Sequence, residues 1–460
     1  MANYAIRFDR FVAGPTQLSS QLMAPAHKRR LESALSTHFL NQKIDFSQSK
    51  NIPFHLDNVA LVKGPGAKEI QRVTSYYQHM GLLPRKEIAP QDADLRARVA
   101  KAASASMQKA TIPGTSSQVL AGAKISEETL SIVRNAMYAI PELGKGNRVV
   151  DHLGYYAGVL WSFFALRELN GGLEDLDRAK KVGDGEGKSR AQARLVSGGI
   201  VSAASFTYLS GKVFDSFESA VTGTAVLGAA NLLFGVGSFL SVAMSGLGWY
   251  RCHQFNERLN EYLENPQLSE AQKLQGALQF LKDAVFATPE EIDQLRSAIE
   301  KEHPELSSGE KEALLKQRLE HLTETKVKSL KRRTSNKSLH WIVNQVDPLL
   351  TKLNDENTRA GAVKEAMILI QKVQKETWVK MALYVLGAIA ALISIAGLMA
   401  LTFFTAGALP YVLYGIAGMI YLAVQIYNSA GLFASRDTNT NIEMNPIQDI
   451  GSLEPHHAIL

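Results

Sequence analysis

The sequence predicts a mostly α fold: a helical multi-pass membrane protein with two transmembrane hairpins and helical soluble regions. Three observations carry this expectation. Ala382 to Ser435 contains no charged residue. A span needs ~20 mostly apolar residues, so this stretch is long enough for two spans and a tight turn. Leu195 to Tyr250 is nearly as free of charge, interrupted only at Lys212, Asp215 and Glu218. Between the two blocks, Arg251 to Lys380 holds 21 Lys and Arg against 20 Asp and Glu, cut into short helices by strong start signals.

Six regions follow: 1–125, mixed and mostly helical; 126–190, a helical region and linker; 195–250, the first hydrophobic hairpin; 251–380, the central helical domain; 381–435, the second hydrophobic hairpin; and 436–460, a disordered tail. In the first, Tyr4 to Phe8 and Asn58 to Val62 alternate as short strands. His27 to Gln42 predicts a helix with Leu31, Leu35, Phe39 and Leu40 on one side. Ala67 to Met80 predicts another, with Ile70, Val73, Tyr77 and Met80 at helical spacing, and Ala89 to Ala110 an Ala-rich third. Thr111 to Gly122 reads as a linker.

Ser126 before Glu127 and Glu128 is the pattern of an N-cap with acids in the first turn, so a helix is expected to start there. Val149 to Leu169 includes 14 uncharged residues, too few for a span. It is expected as a packed or interfacial helix broken by Gly171-Gly172. In the first hairpin, Leu195 to Gly211 is marginal as a span, whereas Ser219 to Tyr250 is long enough to cross. In the central domain, Ser269 with Gln272 forms a capping box, and Thr288-Pro289-Glu290-Glu291 combines an N-cap, an N1 proline and a capping acid. Lys311 to Arg333 has helical apolar spacing without sustained heptads, the pattern of a bundle face. Leu339 to Leu353 follows, with Pro348 inside it. Thr358 to Glu376 runs without a breaker into Trp378 and the second hairpin, which predicts a rigid helix entering the membrane.

The cations near span ends fix the expected topology, because Lys and Arg favour the cytoplasmic side. Lys180, Lys181, Lys188, Arg190, Arg194, Arg251, Arg258, Lys372, Lys375, Lys380 and Arg436 flank the long regions, while the hairpin turns hold only Lys212. The N-region, central region and C-terminal tail are therefore expected on the cytosolic side, which requires four spans with Leu195 to Gly211 among them; if that segment does not cross, the N-region falls on the opposite side from the centre. Net charge of +6 over 460 residues suits anionic head groups and is no argument for nucleic acid. The single cysteine, Cys252, precludes an intramolecular disulfide. Met1 to Pro25 lacks the apolar run of a cleavable signal; its Ser, Thr, Gln and Ala content is compatible with an uncleaved bacterial type III secretion signal and, more simply, with an ordinary frayed N-terminus.

No catalytic, cofactor or metal site is predicted. Cys252-His253 has no metal-spaced companions, and Gly235-Val236-Gly237 lies inside an apolar run with no preceding strand. Gly187-Lys188-Ser189 lacks the glycine that a phosphate loop needs five residues earlier. No ionisable residue lies deep in a span, which argues against a transporter. One cluster carries a binding expectation. Lys326, Lys328, Lys331, Arg332, Arg333 and Lys337 stand together, with no acid between Glu324 and Asp347. Such a run suits anionic lipid, at ~1 kcal/mol per residue, or an acidic partner; it also suits the last turn of a helix.

Paired apolar spans with a tight turn, no cleavable signal and helical regions beside them give this chain a layout that resembles the chlamydial inclusion membrane proteins. The matching segments are Ala382 to Ser435 and Leu195 to Tyr250. The resemblance implies a type III secreted effector in a vacuole membrane. It would be an anchor and scaffold recruiting host proteins through residues 251–380. Two other functions are compatible with the sequence: a pore-forming or translocator-type protein that inserts its hairpins, and a membrane-bound enzyme with its site in residues 1–190.

Overall fold

Helix follows wherever the chain repeats apolar residues at three and four without proline or a glycine pair exposed to solvent. The computed structural model describes residues 10–13, 16–19, 25–41, 66–83, 85, 101, 115–140, 143, 148–183, 185–216, 220–403 and 408–434. It is mostly α. The helices are α1 (Pro25–Asn41), α2 (Ala67–His79), α3 (Thr115–Ala139), α4 (Arg148–Lys181), α5 (Gly185–Ser216), α6 (Ala220–Leu263), α7 (Glu270–Asp283), α8 (Pro289–Glu302), α9 (Ser308–Arg333), α10 (Asn336–Asn354), α11 (Arg359–Phe403) and α12 (Leu409–Ala434). A short antiparallel hairpin, β1 (Arg10–Ala13) and β2 (Thr16–Ser19), pairs Arg10 with Ser19 and Ala13 with Thr16. The residue pattern does not mark this hairpin. The strands expected at Tyr4–Phe8 and Asn58–Val62, the helix at Ala89–Ala110 and the tail at 436–460 lie outside the described residues, apart from Lys101.

Two bodies of packing share their longest helices. The first is a ring: α3, α4, α5, α6, α11 and α12 each pack on the next, and α12 closes back on α3. Neighbours run antiparallel. Tyr138 stacks on Tyr411 with ring centroids 5.1 Å apart, and Gly154 faces Tyr208 and Lys212. The ends of α3, α5 and α11 and the starts of α4, α6 and α12 therefore lie at one end of the ring.

The second body gathers at the opposite end, around the charged extensions of α6 and α11. Leu31 of α1, Ile70 and Tyr77 of α2, Phe255 and Leu259 of α6, Leu274 and Leu278 of α7, Val327 of α9, Ile342 of α10 and Ile370 of α11 form one buried core. Each such side chain stabilises the fold by ~1.5–3 kcal/mol. A smaller cluster, with Ile292, Ile299, Leu315 and Leu319, holds α8 to α9. Three reciprocal capping boxes start α7, α8 and α9, at Ser269–Gln272, Thr288–Glu291 and Ser307–Glu310, each cap contributing ~1 kcal/mol.

Among the described residues three helical segments are long and apolar enough to cross a membrane: Ala225–Leu263, Arg359–Leu401 and Leu409–Ser429. Leu195 to Gly211, in α5, is not one of them. The outer face of the ring is nonetheless apolar beyond these three. Tyr156, Val159, Phe163 and Leu166 are exposed along α4, and Val196 and Phe206 along α5. The apolar part of α4, expected as packed or interfacial, thus packs one face and exposes the other.

Two expectations are corrected. The helix expected to start at Ser126 starts at Thr115, and its first turns occupy part of the expected linker. The Ser126 hydroxyl donates to the Gly122 carbonyl at 2.9 Å, the mid-helix alternative to capping. The break expected at Gly171-Gly172 does not occur; α4 runs through both. A Cβ at Gly172 would lie 2.9 Å from Leu195 Cδ2, and one at Gly171 2.7 Å from Arg194 Nη2. The glycines are there because α5 occupies the space of their side chains.

Candidate functional site: an arginine pocket where the ring meets the helical domain

The close approach of α4 and α5 sets Arg194 against two carboxylates. Its Nε donates to Glu168 at 2.6 Å and its Nη1 to Asp175 at 2.9 Å. From the other side comes the end of α9, with Lys331, Arg332 and Arg333 in its last turn, where cations suit the helix dipole. That end is held by the two long helices. The Tyr384 hydroxyl of α11 donates to the Arg332 carbonyl at 3.1 Å. The buried Cys252 thiol of α6 donates to the same oxygen at 3.8 Å. Tyr384 reaches it by lying across Gly248, where a Cβ would sit 2.4 Å from Tyr384 Cε1.

These contacts enclose a cavity of about 330 Å³. Arg190, Arg194, Arg251, Arg332 and Arg333 line it, with Glu168 as the one acid among the described lining residues. Met244, Leu247 and Tyr384 add apolar surface to its lining. It opens beside a larger cleft of about 980 Å³ that shares Arg190, Arg194, Arg332 and Arg333 and reaches Arg258, Arg178 and Lys328.

Cations crowd one carboxylate beside the pocket. Asp175 meets four cations: Arg194 at 2.9 Å, Lys328 at 3.3 Å, Arg178 at 3.5 Å and Arg332 at 3.6 Å. Burial would raise the Asp175 carboxyl, but Lys328, Arg194 and Arg332 outweigh it and hold it below the usual carboxylate range. For Arg332 the balance is reversed. Burial disfavours its charge, Asp175 offsets part of that, and repulsion from Arg194 and Arg251 leaves its proton affinity lowered. Burial also lowers the Lys331 ammonium, and Lys380 adds to it by repulsion.

The six cations expected as one cluster separate, because each residue of a helix turns ~100° from the last. Arg332 and Arg333 line the pocket, and Lys331 faces Lys380 beside it. Lys328 joins Asp175. Lys326 holds the α7–α8 junction, donating to the Asp283 and Phe286 carbonyls at 2.8 Å each and to Glu291 at 2.5 Å. Lys337 is exposed on α10. The residues missing from that expectation are Arg190, Arg194 and Arg251. The sequence did mark all three, but as cations flanking apolar runs.

A second polar site lies inside the ring. Lys124, Glu127 and Glu128 of α3 line a chamber of about 360 Å³ with Trp161, Ser197 and Gln425. The Trp161 indole N–H donates to Glu127, and the Arg134 guanidinium lies 5.3 Å from the Trp161 ring centroid. The apolar runs of α6, α11 and α12 carry no such charge; α3 brings it, together with Glu168 of α4 and Arg194 of α5. Among the described residues no group of three His, Cys, Asp or Glu side chains is placed to hold a metal. Comparison with known protein families, curated proteins and solved structures finds no match for this chain.

Proposed function

We propose that this chain is an integral membrane anchor and scaffold that presents a helical domain to protein partners on the cytosolic side. One observation carries the reading. α11 is a single helix of 45 residues that belongs to both bodies. Its first part buries Ala366, Leu369, Ile370 and Val373 in the domain core, and its last part exposes Leu386, Ile389, Leu392 and Met399. No hinge separates anchor from domain. From Lys380 to Phe403 it rises ~35 Å, enough for a ~30 Å hydrocarbon layer.

Exposed aromatics support the same placement. Trp249 and Tyr250 end the apolar run of α6, Trp378 precedes that of α11, and Tyr427 lies near the end of α12. The Lys380 ammonium donates to Asn428 at 2.9 Å, so the α11 and α12 positions are level. A girdle of Trp and Tyr is characteristic of head-group depth. The apolar perimeter over α4 and α5 favours embedding of the whole ring, with α5–α6 and α11–α12 as its two hairpins. α1, α2, the central helices and the end of α12 then share one side. As a vacuole-membrane effector the protein would display residues 251–380 to the host cytosol. Alkaline carbonate treatment of membranes from cells expressing the full chain tests the anchor: the protein is expected in the pellet, and release to the supernatant contradicts it.

The chamber of Glu127, Glu128 and Lys124 favours a second reading, a pore-forming or translocator-type protein whose ring surrounds a polar path. Dye release from liposomes separates the two. A pure scaffold releases none; a pore releases dye and does so differently with Glu127→Gln or Glu128→Gln.

A further inference from the structure

We propose that α1 is an acid-released strap: it lies docked on the helical domain at neutral pH and comes away when the imidazole of His27 takes up a proton. Few anchors hold it. Among the described elements α1 packs mainly on α2. Among its described side chains three are buried, His27, Leu31 and Ala34. They follow one another at intervals of four and three, which is a single stripe of a helix. Leu31 and Ala34 join the domain core. Gly66, at the start of α2, makes room for α1, because a side chain there would meet the Ala34 carbonyl. The remaining anchor is a histidine, the side chain whose charge ordinarily changes between about pH 5 and 8.

The surroundings of His27 suit a neutral ring. It is 7 % exposed. Its Nδ1 hydrogen-bonds the Tyr77 hydroxyl at 3.3 Å. It meets the rings of Tyr76 and Tyr77 edge to face, with centroids 4.4 and 5.7 Å apart. The charged groups facing it among the described residues come from α1, α2 and α6. Arg30, on its own helix, lies 3.1 Å from Glu261 of α6 and 3.9 Å from Glu69 of α2. Arg72 of α2 lies 2.5 Å from Glu261 and 4.0 Å from Glu69. Two carboxylates are thus shared by two guanidiniums, and an imidazolium would be a third cation on the pair. Burial disfavours the charged ring. Glu261 offsets part of that, repulsion from Arg30 and Arg72 adds to it, Glu69 opposes weakly, and the proton affinity of His27 is lowered.

The sign follows by linkage. A released α1 takes up the proton at about pH 6.5, and a docked one less readily. Docking is at full strength above that pH. It weakens as pH falls from there toward the docked value, by about tenfold per pH unit for a single proton. The ion pairs around His27 persist across this window. Burial would raise the Glu261 carboxyl, but Arg72 and Arg30 hold it below the usual range. Release uncovers Tyr77, fully buried with α1 in place, and with it apolar surface on α2. Acid thus changes the face that the domain offers to a partner. The strap belongs to the helical domain and holds whether or not the ring lies in lipid.

The test measures distances by electron–electron double resonance on the full chain in phosphatidylcholine nanodiscs. In a Cys252→Ala background, spin labels are placed at Ser33→Cys, exposed on α1, and at Lys301→Cys, exposed on α8. One narrow distance is expected at about pH 8, and a second, broad population at about pH 5 that disappears when the pH is restored. His27→Gln and His27→Phe, which cannot take up the proton, are expected to keep the narrow distance at the lower pH. A control pair within the domain, Glu270→Cys with Lys301→Cys, is expected to stay unchanged. A distance unaltered by acid with His27 present overturns the proposal. Release in acid in both His27 variants overturns it too, since another group then drives the transition. So does broadening of the control pair, which marks loss of the domain rather than release of α1.

Discussion

At the scale of single residues, the most consequential side chain outside the pocket is Asp283. It accepts from His79 at 2.8 Å, from Arg85 at 2.6 Å and from Gln279 at 2.9 Å. His79 also bonds the Tyr262 hydroxyl at 2.7 Å, so one carboxylate ties α2 to α6 and α7. Burial would raise the Asp283 carboxyl, yet His79 and Arg85 hold it far below the usual range. The contribution of this group is present above its unfolded value of ~3.9 and is lost as pH falls below that toward the folded value. Asp283→Ala should cost about 3 kcal/mol at neutral pH, the scale of breaking a buried pair. In chemical denaturation of the full chain in detergent, the gap between wild type and Asp283→Ala should narrow below about pH 4. A gap independent of pH would contradict this account. Gly248 is the matching test beside the pocket. Gly248→Leu would displace Tyr384 from its place over α6 and cost about 1–3 kcal/mol, the price of overpacking. It should also disturb the end of α9, read as faster amide exchange over residues 328–333.

At the scale of elements, the helix starts of the central domain were legible because they are local. Ser269, Thr288 and Ser307 cap α7, α8 and α9 through residues three positions on, and no distant contact is needed to recognise the pattern. Thr288→Ala should therefore lower stability by about 1 kcal/mol, measured by the same unfolding. The continuity of α11 was legible for the same reason: nothing between Thr358 and Phe403 breaks a helix. Gly171 and Gly172 were not legible. A glycine pair has the same sequence signature whether it ends a helix or admits a neighbour, and only the presence of Arg194 and Leu195 decides. Gly172→Leu is expected to drive α5 away from α4 and to separate Arg194 from Glu168 and Asp175. Its unfolding cost should exceed that of Gly183→Ala, although Gly183 has φ of +68° and alanine there is strained. Equal costs would mean that the α4–α5 approach contributes little. The start of α3 was hidden similarly: Ser126 offers the sequence of a cap, and packing of α3 on α4 and α12 extends the helix past it.

At the scale of the whole molecule, the apolar runs marked helices long and apolar enough to cross a membrane, and the charged middle marked the helices that gather in the second body. They could not show that six helices close a ring, because ring closure is a property of pairings far apart in sequence. Nor could they show the arginine pocket, whose five members come from residues 190–194, 251 and 332–333. Each segment alone reads as a span flank or a helix end. The central claim is that the ring is in lipid and the helical domain in water, joined by α6 and α11 without a hinge. In a Cys252→Ala background, Leu392→Cys places a thiol on the exposed apolar face of α11 and Lys301→Cys places one on α8. Labelling with a membrane-impermeant maleimide, in sealed vesicles that display the domain outward, compares the two directly. The account predicts rapid modification at 301 and none at 392 until detergent is added. Equal modification of both thiols in intact vesicles would contradict it.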